Sequence, residues 1–261
     1  MFLHHTYQTG YMPQRIISLV PSISELLYAL GLEENVAGIT KFCVHPPHWQ
    51  KTKTMIGGTK NIYIEKIQAL QPDLIIASKE ENVKAQVEPL SLQFPVWLTD
   101  VHNLDTALTM IQDIGRLTQT IHKAEILVQA IGEAFAQLQP VAPPVNTCYL
   151  IWRQPYMTVG GDTYISNMLQ HCGLHNVFAC KTRYPTIELE RLKETNCRLL
   201  LLSTEPYPFT EKHIRELQAY LPTVHIMLVD GEMFSWYGSR LVAAAAYFIQ
   251  FTRLVKALPL S

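Results

Sequence analysis

Arg15-Ile16-Ile17-Ser18-Leu19-Val20-Pro21-Ser22-Ile23-Ser24-Glu25 is a short apolar run followed at once by a proline and a polar start. A run of six, Arg15 to Val20, is too short for a helix of its own and reads as a buried strand. Ser22 and Glu25 stand at the spacing of a capping box, so a helix is predicted from Pro21 to about Leu30. Gly31 is placed to take the left-handed conformation that closes it. A second apolar run, Val36 to Thr40, reads as the next strand, so this stretch is a βαβ unit and the sheet it starts is parallel.

Outward from there the order repeats. A helix is predicted near Ile64 to Leu70, a strand over Asp73 to Ser78, a helix around Val83 to Gln93 and a strand over Val96 to Thr99. The apolar runs are nearly unbroken, as in parallel strands covered on both faces. Leu104 to Gln139 holds no proline, and Ile121, Ala124, Leu127, Val128, Ile131 and Phe135 keep a helical spacing, which predicts one or two long helices. Pro140, Pro143 and Pro144 end that pattern. A strand then opens at Thr147 to Trp152, followed by helices over Thr163 to His171 and Glu188 to Glu194, a strand over Arg198 to Leu202, a helix over Glu211 to Tyr220, a strand over Val224 to Val229 and a last helix over about Ser239 to Ala257. The fold class is α/β: two Rossmann-like lobes with parallel sheets, joined by a long helix. The predicted boundaries are an N-terminal lobe over 13–118, a linking helix over 119–140 and a C-terminal lobe over 141–261.

The bulk numbers agree with two lobes. The chain has 261 residues, 48% hydrophobic and 16% charged, which is enough apolar side chain for two cores of roughly 100 to 130 residues each. A formal charge of −1 gives no electrostatic reason to bind nucleic acid. The longest apolar stretch, Leu241 to Ile249, falls far short of the roughly 18 to 20 residues that span a bilayer, so it reads as a buried helix and no membrane-spanning segment is expected. The start, Met1-Phe2-Leu3-His4-His5, lacks the basic and apolar regions of a secretory signal. On that reading the chain is cytoplasmic, or a signal has been removed. Cysteines at 43, 148, 172, 180 and 197 form no CxxC pair and suggest free thiols.

Several segments at predicted strand ends are candidates for chemistry. Cys43 and His45 pair a soft sulfur with an imidazole, either as metal ligands or as nucleophile and base, although two residues alone complete neither arrangement. Gly57-Gly58-Thr59-Lys60 lacks the spacing of a phosphate loop and reads as a turn lining a cleft. Trp152-Arg153-Gln154-Pro155-Tyr156 and Phe234-Ser235-Trp236-Tyr237-Gly238-Ser239-Arg240 combine large rings with arginine, a pairing suited to a bulky planar ligand with acidic appendages. Lys79-Glu80-Glu81-Asn82 and Thr204-Glu205-Pro206 place carboxylates at the same end of each lobe's sheet, where they are either solvated or available to a basic partner.

Arg15 to Ser22, Glu25-Leu26-Leu27, Gly38-Ile39-Thr40 and Gln71-Pro72-Asp73-Leu74-Ile75-Ile76-Ala77 together resemble the substrate-binding proteins of vitamin B12 and iron-siderophore ABC importers, over most of the chain. The resemblance implies a helical backbone over about Ile121 to Gln137, ligand held between the lobes, a periplasmic or extracytoplasmic location and no enzymatic activity. It implies an ABC importer permease as partner, docked through Glu80 or Glu81 and through Glu205. The ligand-binding segments it carries over are those around Phe42, Lys60, Trp152 and Trp236, with Tyr237 and Arg240 beside the last. The implied ligand is a metal-bearing small molecule, cobalamin first, with haem or a ferric siderophore as alternatives and no intrinsic cofactor. A corrin ring brings its metal already coordinated, so no protein metal ligand is required. Two other readings stand beside it: a cytoplasmic haem, siderophore or metal carrier using Cys43 and His45, and an enzyme with Cys43 as nucleophile.

Overall fold

The computed structural model describes residues 1–3 and 10–259. The chain forms two compact units. One comprises Met1–Val101, Asp105–Ala130 and Tyr237–Arg240; the other comprises His102–Leu104, Ile131–Trp236 and Leu241–Ser261. The two terminal residues of the expected C-terminal lobe, 260 and 261, lie outside the described residues.

In the first unit the order is β1 (Phe2–Leu3), β2 (Ile16–Ser18), α1 (Pro21–Ala29), β3 (Val36–Ile39), α2 (Trp49–Thr52), β4 (Thr54–Met55), α3 (Ile64–Ala69), β5 (Leu74–Ser78), α4 (Lys84–Ser91), β6 (Val96–Thr99) and α5 (Leu104–Leu117). The sheet runs β1-β6-β5-β2-β3-β4. All its pairings are parallel except the outermost, where Phe2 faces Trp97 and Leu3 faces Val96 antiparallel. Both faces are covered, which is why β2 and β5 are buried along their whole length. Ile17, Leu19, Ile75, Val87, Leu90 and Val96 pack as one cluster, each contributing about 1.5 to 3 kcal/mol by leaving water.

The expected helix after β2 is present, but its capping box is not. Val20 is the N-cap and no side chain caps it, because Pro21 occupies the first turn and leaves one fewer N–H to satisfy. Ser22 is buried inside the helix, and Glu25 turns instead to Arg240, with N–O distances of 2.9 and 3.0 Å. Gly31 closes the helix with φ of +80°, as the sequence predicts. The long helical stretch is two helices. Gln119, at φ of +57°, breaks it, and α6 (Ile121–Ala136) follows. The division between the two units falls inside α6, after Ala130.

The second unit continues with β7 (Val145–Trp152), β8 (Tyr156–Thr158), α7 (Tyr164–His171), β9 (Leu174–Asn176), β10 (Thr186–Ile187), α8 (Leu189–Glu194), β11 (Leu199–Ser203), α9 (Glu211–Tyr220), β12 (His225–Val229), α10 (Gly231–Ser235) and α11 (Arg240–Lys256). Its sheet runs β10-β8-β7-β11-β12, with β9 also on β7. The pairs among β9, β7, β11 and β12 are parallel, and β8 and β10 add antiparallel strands. The parallel part, β12-β11-β7-β9, repeats the order β6-β5-β2-β3 of the first sheet, so β11 stands in its sheet where β5 stands in the other. Thr163 caps α7 by accepting from Ser166 N–H at 3.2 Å, and α11 buries Leu241, Ala244, Ala245, Phe248 and Phe251. Among the described residues no helix is long and apolar enough to cross a membrane.

Candidate functional site

Loops at the carboxyl ends of parallel strands are where α/β sheets bind ligands, since the strands stop there and helix N-termini begin. In the first unit four such loops are tied together. Asn82 Nδ2 donates to Leu19 O, after β2, and to Thr59 O, after β4, each at 3.1 Å, while its Oδ1 accepts from Ser78 N at the end of β5. Lys41 N–H donates to Gly57 O at 2.8 Å, joining the loop after β3 to the one after β4. Gly57 has φ of +101°, and a Cβ there would lie 2.5 Å from Asn61 O. The turn therefore requires glycine. A Cβ on Gly58 would meet the Phe42 ring at 3.1 Å. Gly57-Gly58 is thus a tight turn that seats Phe42 and leads to Lys60.

Phe42 is 50% exposed, unusual for a phenylalanine beside a core. The Lys41 ammonium lies 5.1 Å from its ring centre, and Lys60 Nζ donates to Glu80 O at 2.9 Å. Phe42, Lys60 and Glu80 are thereby brought to one end of the first sheet. Glu80 and Glu81 are half-buried, and their N–H groups donate to Ser78 Oγ at 3.2 and 3.3 Å. Tyr237, 4% exposed, donates its hydroxyl proton to the same Oγ at 3.3 Å.

Cys43 is fully buried, with Ser24 Oγ at 2.9 Å and Thr40 Oγ1 at 3.3 Å from its sulfur. Burial pushes its thiol pKa up, against the pull of those two hydroxyls. Burial and a raised pKa both work against Cys43 as a nucleophile or a metal ligand. The Cys43 hydrogen bonds run to Ser24 and Thr40 rather than to His45, which sits half-buried two residues on. Among the described residues no group of three or more His, Cys, Asp or Glu stands close enough to hold a metal ion.

The second unit presents Trp152 at the end of β7, 40% exposed, with its ring edge-on to Tyr207 at 5.7 Å. Arg153 beside it pairs with Glu216 at 2.8 Å. At the end of β11, Ser203 Oγ donates to Glu205 O at 2.6 Å and lies 3.4 Å from Glu205 N. The Glu205 carboxylate accepts from Ser235 Oγ at 2.7 Å and from Trp236 Nε1 at 3.0 Å. Burial raises the Glu205 pKa, and the nearby Glu232 and Asp230 charges add to the rise, while the Ser235 and Trp236 donors oppose it. Gly231 is required for this closure, since a Cβ on it would lie 2.4 Å from Glu205 Cγ and 2.5 Å from Ser203 Oγ.

The sequence-predicted residues therefore fall into two kinds. Phe42, Lys60 and Trp152 are exposed at strand ends, whereas Trp236 is 8% exposed and Arg240 is engaged with Glu25. Sequence reasoning gave no role to Asn82, although it lies in the segment Lys79–Asn82, nor to Ser78, Ser203 or Gly231. The signal for the two serines is their place at the end of the predicted strand 73–78 and just after the predicted strand 198–202. A cavity of about 680 Å3 beside the ends of β5 and β6, walled in part by Val87, Trp97 and Met110, was likewise not foreseen.

Residues 16–222 match the family model described as periplasmic binding protein. The chain is 26% identical over 247 residues to a vitamin B12-binding protein of Pectobacterium atrosepticum, covering 90% of this chain and 86% of that one. Among solved structures it is similar to the periplasmic vitamin B12 binding protein of Vibrio cholerae, with a TM-score of 0.77, 21% identity, and coverage of 94% of this chain and 99% of that one. It is also similar to a periplasmic heme-binding protein solved with two hemes, with a TM-score of 0.80, 18% identity, and coverage of 95% and 100%. At those identities the structural likenesses speak for the fold.

Proposed function

The chain belongs to the periplasmic binding protein family and is a binding protein, not an enzyme; from that premise we propose that, outside the cytoplasmic membrane, it captures a metal-bearing small molecule, cobalamin first, for delivery to an ABC importer. The observation that carries the ligand class is the pair of exposed rings, Phe42 in one unit and Trp152 in the other, each at the carboxyl ends of parallel strands. Exposed aromatic rings on preformed loops bind a bulky, largely apolar ligand with little ordering cost. Lys60 supplies a cation at the end of the first sheet, and Arg153 supplies one at the end of β7 on exchanging Glu216 for an acidic or amide appendage. Cobalamin is favoured because the relative in Pectobacterium is named for it.

Haem is the second reading, supported by the fold's likeness to a protein solved with two hemes. Docking on a permease is proposed through Glu80 and Glu81, with Glu205 contributing only after exchanging Ser235 and Trp236 for a partner's cation. The deciding experiment is a parallel titration with cyanocobalamin, haemin and a ferric siderophore, followed by tryptophan quenching and by the ligands' own absorption bands. Saturable one-to-one binding of cyanocobalamin alone is expected. Binding of haemin alone replaces the ligand, and no binding by any of the three overturns the reading.

A further inference from the structure

Trp236 and Tyr237 are consecutive, aromatic and buried, and each directs its polar atom at a strand-end loop. Trp236 belongs to the second unit and Tyr237 to the first. Within the second unit, Trp236 Nε1 and Ser235 Oγ both donate to Glu205 Oε1, and the backbone of Glu205 is held by Ser203 Oγ. Within the first, Tyr237 donates to Ser78 Oγ, which also receives the N–H groups of Glu80 and Glu81. Ser78 and Ser203 end β5 and β11, the strands that hold the same place in the two sheets, and both are about fully buried. The two strand ends are built alike up to a point: in each a buried serine closes the strand, holds the loop backbone and accepts a tyrosine hydroxyl, Tyr237 at Ser78 and Tyr149 at Ser203, whereas Trp236 acts on its loop through the Glu205 carboxylate.

We propose that Trp236 and Tyr237 are positioning residues, setting the loops 204–206 and 79–82 in the shape the ligand meets, and are not themselves ligand contacts. This rests on reading the strand ends as the ligand-binding faces. A direct contact role needs exposed ring surface, of which both have little, Trp236 being 8% and Tyr237 4% exposed. A positioning role needs a rigid side chain with a directed hydrogen bond, which both supply. Tyr237 lies close to Gly238, whose φ of +94° and close packing on Leu26 and Ser22 O fix where the ring enters the unit.

The test uses the full chain and has a readout that needs no ligand. Amide hydrogen exchange is measured for wild type, Tyr237→Phe, Trp236→Phe and Ser78→Ala. Tyr237→Phe is expected to speed exchange at Glu80 and Glu81 several-fold with Glu205 unchanged, and Trp236→Phe to do the reverse. Ser78→Ala should reproduce the Tyr237→Phe pattern, and the double variant should add nothing to it, because tyrosine acts through the serine. Affinity for whichever of cyanocobalamin or haemin binds the wild type should fall about three- to tenfold in each single variant. Unchanged exchange at these amides in both aromatic variants overturns the proposal, as does lost affinity with unchanged exchange, which would mark direct contact. Faster exchange in a chain whose wild type binds neither probe supports the positioning role and removes only the ligand reading.

Discussion

The indole N–H of Trp236 reaches the Glu205 carboxylate at 3.0 Å, and the absence of a side chain at Gly231 leaves room for the Cγ of that same glutamate. A half-buried carboxylate held by two neutral donors, with Asp230 and Glu232 nearby, binds its proton more tightly than it does in the unfolded chain.

The sign of the pH effect follows. With the folded pKa above the unfolded one, the native state holds the extra proton, and stability is lost as pH rises from the ordinary carboxylate range through the folded value. Glu205→Gln keeps an acceptor for Trp236 and Ser235 and removes the charge. The variant should therefore gain stability relative to wild type at pH 8 and show little gain at pH 4. Urea melts at the two pH values check this, and equal differences at both would show that the carboxyl is not shifted.

Gly231→Ala should destabilise the second unit by about 1 to 3 kcal/mol, the usual cost of overpacking, because the new methyl collides with Glu205 Cγ and Ser203 Oγ. Thermal melting together with Glu205 amide exchange would reveal it. An unaltered melting temperature would mean that α10 shifts freely.

Trp152→Ala should weaken ligand binding by about 1 to 2 kcal/mol, roughly five- to thirtyfold, with the fold intact, since the ring is substantially exposed and supports little of the core. Calorimetric titration beside a melting curve separates the two effects. Undiminished affinity would remove Trp152 from the ligand face.

Thiol labelling of the native chain at neutral pH should modify Cys180 alone. Cys43, Cys148, Cys172 and Cys197 are buried, and burial pushes their thiols up, that of Cys197 to about 11. Mass spectrometry should count one label on the folded protein and five after unfolding, the full number of cysteines. Fast native labelling of Cys43 would restore it as a nucleophile.

Much of this was legible in the residues. Unbroken apolar runs at Leu74–Ser78 and Val96–Thr99 announced parallel strands, and the α9 helix begins and ends where Glu211 and Tyr220 suggested. The short antiparallel additions were not legible: Tyr156–Thr158 and Thr186–Ile187 are too brief to show an alternation and exist because neighbouring strands accept them. The Ser22 and Glu25 spacing misled because a proline competes for the same helix start and Arg240, distant in sequence, competes for the same carboxylate. At the site, the aromatic residues were visible by type, but exposure separates Trp152 from Trp236, and exposure is set by tertiary packing that a linear pattern does not carry.

The antiparallel pairing of Phe2 and Leu3 with Trp97 and Val96 bears on how the molecule behaves in crowded solution. A bare parallel edge at Val96–Thr99 would offer its amides and carbonyls to the same strand of another copy, the first step of a ladder that grows without limit. With Phe2 and Leu3 laid along Trp97 and Val96, the outermost strand of that margin is only two residues long, a short and poor template for such a ladder.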